Sequence, residues 1–168
     1  MDEQECLGGS LLSQQTPIND APAKQWQADT LAELATLAEV TLLPRTTVTG
    51  YHEHNFLVAV ERVTNHQGPQ ANNKQPRERL WRIRAKQVVL ATGAIERPLV
   101  FENNDRPGVM LASAVQTYAN RYGVAAGERV LVLTNNDSAY QTALDLHKAG
   151  VTVVAVVDSR AHITGPYQ

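Results

Sequence analysis

Cysteine is nearly absent from this chain: among 168 residues there is only Cys6. One thiol can build neither a disulfide framework nor a cysteine zinc site. Cys6 has no basic residue beside it to favour the thiolate, so it is not read as a nucleophile. A lone cysteine fits a reducing, cytoplasmic setting. Long apolar runs are missing as well. Nothing approaches transmembrane length, and the acidic, polar N-terminus is unlike a signal peptide, so no membrane partner is expected. Charge of one sign is not in excess either: 15 basic residues stand against 17 acidic ones, for a net charge of −2. That excludes an electrostatic case for nucleic acid. There is no repeat with a period of 20–50 residues, and no Ser-His-Asp signature or paired-carboxylate spacing.

What is present is a core-forming composition. Hydrophobic residues make up 43% and charged residues 19%, enough for one ordinary domain or for pieces of two. Residues 1–10, MDEQECLGGS, place Asp2-Glu3 ahead of Gly8-Gly9 with no strand before them. The chain is therefore read as a piece of something longer.

The segments up to about residue 84 read mostly as strands. Residues 1–25 are polar and turn-rich. A helix is expected over Thr30–Glu39, where Leu31, Leu34, Ala35 and Ala38 recur at helical spacing and Thr30 with Glu33 has the form of a capping box. Strands are expected at Val40–Leu43, Arg45–Tyr51, Asn55–Val63 and Leu80–Arg84, with Trp81 and Ile83 on one face of the last. The polar stretch Thr64–Glu78 is an exposed hairpin loop. Together these form a β-meander. His52 and His54 flank a strand end with no third ligand in view, and no metal is assigned to them.

The meander leads into Gln87–Pro98, QVVLATGAIERP. Val88–Ala91 is an unbroken apolar run, expected as a strand covered on both faces. Thr92 and Gly93 end it where a backbone can approach a ligand, beyond the carboxyl end of a strand. A helix follows at Leu111–Tyr122, stopped by Gly123. Arg129–Thr134, Ser138–Ala149 and Val151–Val157 then read strand, helix, strand, a βαβ unit with parallel strands. Its first loop, Thr134-Asn135-Asn136-Asp137-Ser138-Ala139, keeps only Ala139 of the G-x-G-x-x-G/A fingerprint. Side chains replace the glycines, and Asp137 brings negative charge to a helix start. The unit is expected to be Rossmann-shaped without a dinucleotide.

VVLATGAIERPLVFENNDRPGVMLASAVQTYANRYGV, VLVLTNNDSAYQTALDLHKAGV and DEQECLGGSLL resemble the α subunit of heterotetrameric sarcosine oxidase, over almost the whole chain and least in the polar hairpin. The resemblance implies an α/β fold: an incomplete, FAD/NAD(P)-binding, Rossmann-like architecture of two dinucleotide domains with a β-meander. Residues 1–110 would be the C-terminal portion of the first dinucleotide domain, with the meander at about 40–91. Residues 111–168 would begin a second, glycine-poor βαβ domain. It further implies that the α subunit binds NAD, while FAD and FMN belong to the complex and are not bound by this chain alone. The complex demethylates sarcosine oxidatively to glycine, formaldehyde and hydrogen peroxide, with tetrahydrofolate accepting the one-carbon unit. The implied partners are the other subunits and a small amine substrate. Carried over by motif, Asp2 and Glu3, with Gln4 beside them, would hold the adenosine ribose. Ser10 would approach the pyrophosphate side, Val48 would meet the adenine through its backbone, and Thr92 and Gly93 would pass close to the dinucleotide. No catalytic residue is assigned, and the chain alone is expected to be inactive. Two other readings stay open: a non-catalytic module for subunit contact, and a subunit of a related opine or amino-acid dehydrogenase.

Overall fold

The computed structural model describes residues 1–72 and 74–163. These divide into two compact units, one made of Met1–Leu11 with Ile18–Gly93 and the other of Leu12–Pro17 with the residues from Ala94 on.

The first unit holds the meander. Its strands β1 (Thr46–His52), β2 (Phe56–Arg62) and β3 (Glu78–Arg84) lie in the order β1-β2-β3. Both pairings are antiparallel, with Val48 opposite Ala59 and Ala59 opposite Trp81. Alternation along β2 places Leu57 and Ala59 on the covered face, at 4% and 0% exposure, and Phe56, Val58 and Val60 on the other. A register shift between Val48 and Gly50 interrupts β1. The loop between β2 and β3 is mostly exposed, as its polarity predicts, with Thr64 buried and Val63, Gly68 and Ala71 half-buried; it has a 3-10 stretch at Asn65–Gln70, and Asn73 within it lies outside the described residues.

Three local expectations fail in this unit. The helix α1 runs over Ala23–Thr36, seven residues ahead of its expected start. Pro22, at φ −53°, precedes its first turn, and proline's fixed φ is suited to starting a helix. Thr30 is thus mid-helix, and its hydroxyl donates back to the Trp26 carbonyl at 2.8 Å instead of capping. Val40–Leu43 forms no strand. His54 does not continue the alternation of β1 but sits in a single 3-10 turn at φ 58°.

The largest correction concerns Val88–Ala91, which has no strand conformation. Residues 85–111 carry no regular element, and Val89 is 89% exposed. A strand buried on both faces needs hydrogen-bonding neighbours as well as apolar residues. Neither the three-stranded nor the two-stranded sheet contributes one to this run.

The second unit is the βαβ with a preceding helix. It contains α2 (Ala112–Tyr122), β4 (Arg129–Thr134), α3 (Ser138–Lys148) and β5 (Thr152–Asp158). Strands β4 and β5 are parallel neighbours, as the spacing predicts. Gly123 ends α2 in the left-handed region at φ 66°. Val132, Ala139 and Ala143 form a buried cluster with Ala112, Val153 and Val156 packed on it. Asp145 on α3 is 2% exposed and binds α2 to α3. Its carboxylate accepts from the side-chain amides of Gln116, Asn120 and Gln141 at 2.7–2.8 Å.

Candidate functional site

The N-terminal arm is built onto the outer edge of β1. The Asp2 N–H donates to the Leu43 carbonyl at 3.0 Å, and the Thr46 N–H donates to the Asp2 carbonyl at 2.8 Å. The Arg45 N–H donates to the Gln4 carbonyl at 2.7 Å. Two arginines fix the arm further. Arg62 Nη2 donates to the Glu3 carbonyl at 2.7 Å, and Arg45 Nη2 pairs with Glu5 Oε2 at 2.8 Å. Asp2 Oδ1 accepts the Gln4 N–H at 2.9 Å, a local turn that shapes the arm at its acidic end.

This arrangement sets which backbone groups of β1 face outward. The Arg62 N–H donates to the Arg45 carbonyl, so that carbonyl faces β2. Thr46 faces the arm. In a strand these directions alternate, so the N–H and C=O of Val48 face the same open edge as those of Thr46. Val48 lies two residues beyond the point where Asp2 is tied, roughly 7 Å along the strand. Glu3 is exposed and in no ion pair among the described residues. The Asp2 carboxylate and an open strand edge thus share one side of the meander, with the exposed Glu3 next to Asp2 on the same arm. Carboxylates there can accept from the hydroxyls of a ribose, and an N–H with its C=O can pair with the edge of an adenine.

Ser10 follows, exposed, on a one-turn 3-10 helix, Gly9–Leu12, whose Leu12 is buried. The turn before it passes close to α1. Gly8 has φ 138°, a Cβ there would lie 3.0 Å from Gln27 Cγ, and Gln27 Nε2 donates to the Leu7 carbonyl. Thr92 and Gly93 are exposed on the irregular stretch, Gly93 at φ 71° as the last residue of the first unit. Among the described residues no hydrogen bond joins either of them to the arm. The structure thus ties Asp2 and Gln4 to the backbone of Leu43, Arg45 and Thr46, the stretch that leads into Val48. Arg45, Arg62 and Gln27 were not legible as site residues, because their partners are backbone carbonyls or lie 20 to 59 positions away.

The loop after β4 is closed on itself. Thr134 Oγ1 accepts the Asn136 N–H at 3.1 Å, and Asn136 Oδ1 accepts from the Ser138 N–H and hydroxyl. Asn136, and not Asp137, thus satisfies the start of α3. Asp137 is taken by Arg160, whose Nη2 lies 2.7 Å from Asp137 Oδ1 and 2.7 Å from Asp158 Oδ2. Tyr140 donates its hydroxyl to Asp158 at 3.0 Å. Hydrogen bonds from Arg160 hold the Asp158 carboxyl well below the usual carboxylate range, and Asp158 in turn raises the Arg160 guanidinium. Desolvation, and then the bond to Asp158, push the Tyr140 hydroxyl up. Asp158 stands where a ribose-binding carboxylate would, but its side chain is 5% exposed and already paired.

No family model matches the chain. It is 52% identical over 167 residues to sarcosine oxidase subunit alpha of Corynebacterium sp. (strain P-1), which covers 98% of this chain and 17% of that protein. The same-named protein of Rhizobium meliloti (strain 1021) is 50% identical over 160 residues, 95% of this chain and 16% of its own length. Among solved structures, L-proline dehydrogenase from P. horikoshii superposes with a TM-score of 0.70 at 22% identity, over 97% of this chain and 31% of that one. That likeness concerns the fold alone, a mixed α/β architecture. The chain spans about one sixth of the curated relatives it matches, and it is a relative, over nearly all its length, of that segment of the sarcosine oxidase α subunits.

Proposed function

We propose that this chain is part of the NAD-binding α subunit of a sarcosine oxidase-type flavoenzyme complex. In that complex sarcosine, water and dioxygen give glycine, formaldehyde and hydrogen peroxide, with tetrahydrofolate able to take the one-carbon unit. The electron-accepting chemistry would come from FAD and FMN held elsewhere in the complex, and no residue described here is assigned to it. This chain's part is to hold the adenosine half of NAD. Asp2 and Glu3 accept from the ribose hydroxyls, Gln4 shapes the turn that presents them, and Val48 meets the adenine through its backbone. Ser10 stands toward the pyrophosphate, and Thr92 and Gly93 pass near the dinucleotide.

The observation that carries the reading is the pairing of the acidic arm with β1, which puts Asp2 and the open backbone edge of Val48 on one side of the meander. The residues fit an adenosine and not a pyrophosphate. The 168 residues contain no G-x-G-x-x-G, and the one βαβ loop is filled by its own side chains.

A titration of the complete α subunit with NAD tests this. Saturable binding that weakens at least ~10-fold when Asp2→Asn and Glu3→Gln are combined supports the assignment, since two charge-assisted hydrogen bonds are removed. Binding that ignores both substitutions refutes it.

A further inference from the structure

The free edge of the meander carries a feature that the dinucleotide does not use. Among the described residues, strand β3 pairs with β2 alone. The Val63 N–H donates to the Arg77 carbonyl and the Ala85 N–H donates to the Asn55 carbonyl, so the odd-numbered residues of β3 face β2. By alternation, the backbone N–H and C=O groups of Leu80, Arg82 and Arg84 point to the open edge. The side chains of the same three residues lie on one face, and all three residues are exposed, Leu80 to 61%. Arg82 and Arg84 flank the Phe56 ring, at 5.7 and 5.9 Å from its centroid, and His52 packs on the same ring at 5.9 Å. Among the described residues neither arginine has a carboxylate within ion-pair distance.

The charge along this edge is of one sign. Between Arg77 and Lys86 there are five cations and one carboxylate, in a chain whose net charge is −2. The carboxylate, Glu78, accepts from Asn65, and among the described residues only Arg79 of the five is ion-paired, with Glu61 on the neighbouring strand. Charges on an edge strand guard against edge-to-edge association. Charges of a single sign do so selectively: they repel a second copy of β3 and leave the edge open to an acidic strand.

We propose that β3 is a docking edge for an extended, acidic segment of a partner subunit. That segment adds as a fourth strand. Its backbone pairs with Leu80, Arg82 and Arg84, alternate carboxylates meet Arg82 and Arg84, and an apolar residue covers Leu80. The partner rests on the reading of the chain as one subunit of an assembly. The edge geometry and the unpaired arginines do not.

The test uses the 168-residue chain and a fluorescein-labelled peptide of alternating Glu and Val, followed by anisotropy and by amide hydrogen exchange. Saturable binding is expected, with slowed exchange at the Leu80, Arg82 and Arg84 amides. Arg82→Glu with Arg84→Glu should weaken binding at least ~10-fold, and added salt should weaken it as well. Arg82→Gln with Arg84→Gln serves as a milder pair should charge reversal disturb the sheet, and it should weaken binding to a lesser degree. Three results each overturn the proposal: no saturable binding; equal binding of a peptide N-methylated so that it cannot pair; or full competition by inorganic phosphate, which would mean an anion site only. NAD titration of the complete subunit carrying the double Glu variant separates the two readings. Unchanged NAD binding with lost peptide binding leaves both standing, whereas absent NAD binding in the unsubstituted subunit sinks only the cofactor assignment.

Discussion

Arg62, the last residue of β2, donates from Nη2 to the backbone carbonyl of Glu3 at 2.7 Å, across 59 positions of sequence. Arg62→Ala should loosen the arm without unfolding the meander. One hydrogen bond contributes about 0.5–1.5 kcal/mol net, so global stability should fall by no more than that. The local effect is the sharper one. The Thr46 amide, which donates to Asp2, should exchange with solvent several-fold faster, and unchanged exchange would mean the arm is held by its backbone bonds alone.

The Arg160–Asp158 pair makes the second unit acid-sensitive. The Asp158 carboxyl titrates lower in the folded chain than at its ordinary value near 4. Its contribution to stability is therefore present above about pH 4 and is lost as the pH falls below it, where the unfolded chain binds the proton first. Asp158→Asn should flatten this part of the stability curve, measured by denaturant unfolding between about pH 2 and 6. A variant that keeps the full acid loss would shift the cause to another carboxylate.

Among the described residues, Asp145 is held by three neutral amides and by no cation. Asp145→Ala removes the acceptor that Gln116, Asn120 and Gln141 share, while Asn120 keeps the Ser13 carbonyl at 2.8 Å. A loss of about 1–3 kcal/mol is expected, from the lost hydrogen bonds to a charged acceptor. Chemical denaturation checks it, and a loss under about 0.5 kcal/mol would show that the amides re-pair with water.

The 168-residue chain alone should bind NAD weakly or not at all. Pyrophosphate affinity in such folds comes from backbone N–H groups at a glycine-rich helix start, and these residues contain no such sequence. The adenosine contacts that remain contribute about 0.5–1.5 kcal/mol each. Calorimetry at ordinary concentrations should show no saturable heat. Micromolar binding would falsify the placement of the phosphates and direct attention to Thr134–Ala139.

The βαβ of the second unit was readable from its residues because its signals are local. The apolar run of β4, the helical spacing of α3 and the glycines at 123 and 150 all act within a few positions. The meander was readable for the same reason, since β-branched residues and a polar loop define strands that pair with their nearest neighbours in sequence. The glycine-poor loop was legible too, though not that Arg160 would fill it; the spacing of Asp158 and Arg160, two apart, was the available signal.

Val88–Ala91 was misread because an apolar run specifies burial and not a partner, and strand conformation waits on a neighbour that local sequence cannot supply. The start of α1 was misplaced because apolar spacing marks a helix interior more firmly than its ends. By itself the sequence determined that this is an α/β chain with a meander and a βαβ unit whose first loop lacks the glycines of the dinucleotide fingerprint. Only the tertiary structure decided that the arm of Asp2 and Gln4 pairs with Leu43, Arg45 and Thr46 at the start of β1, and that the backbone of Leu80, Arg82 and Arg84 is left open. The physical reason is that both depend on hydrogen bonds between residues far apart in sequence, whose closure no local pattern encodes.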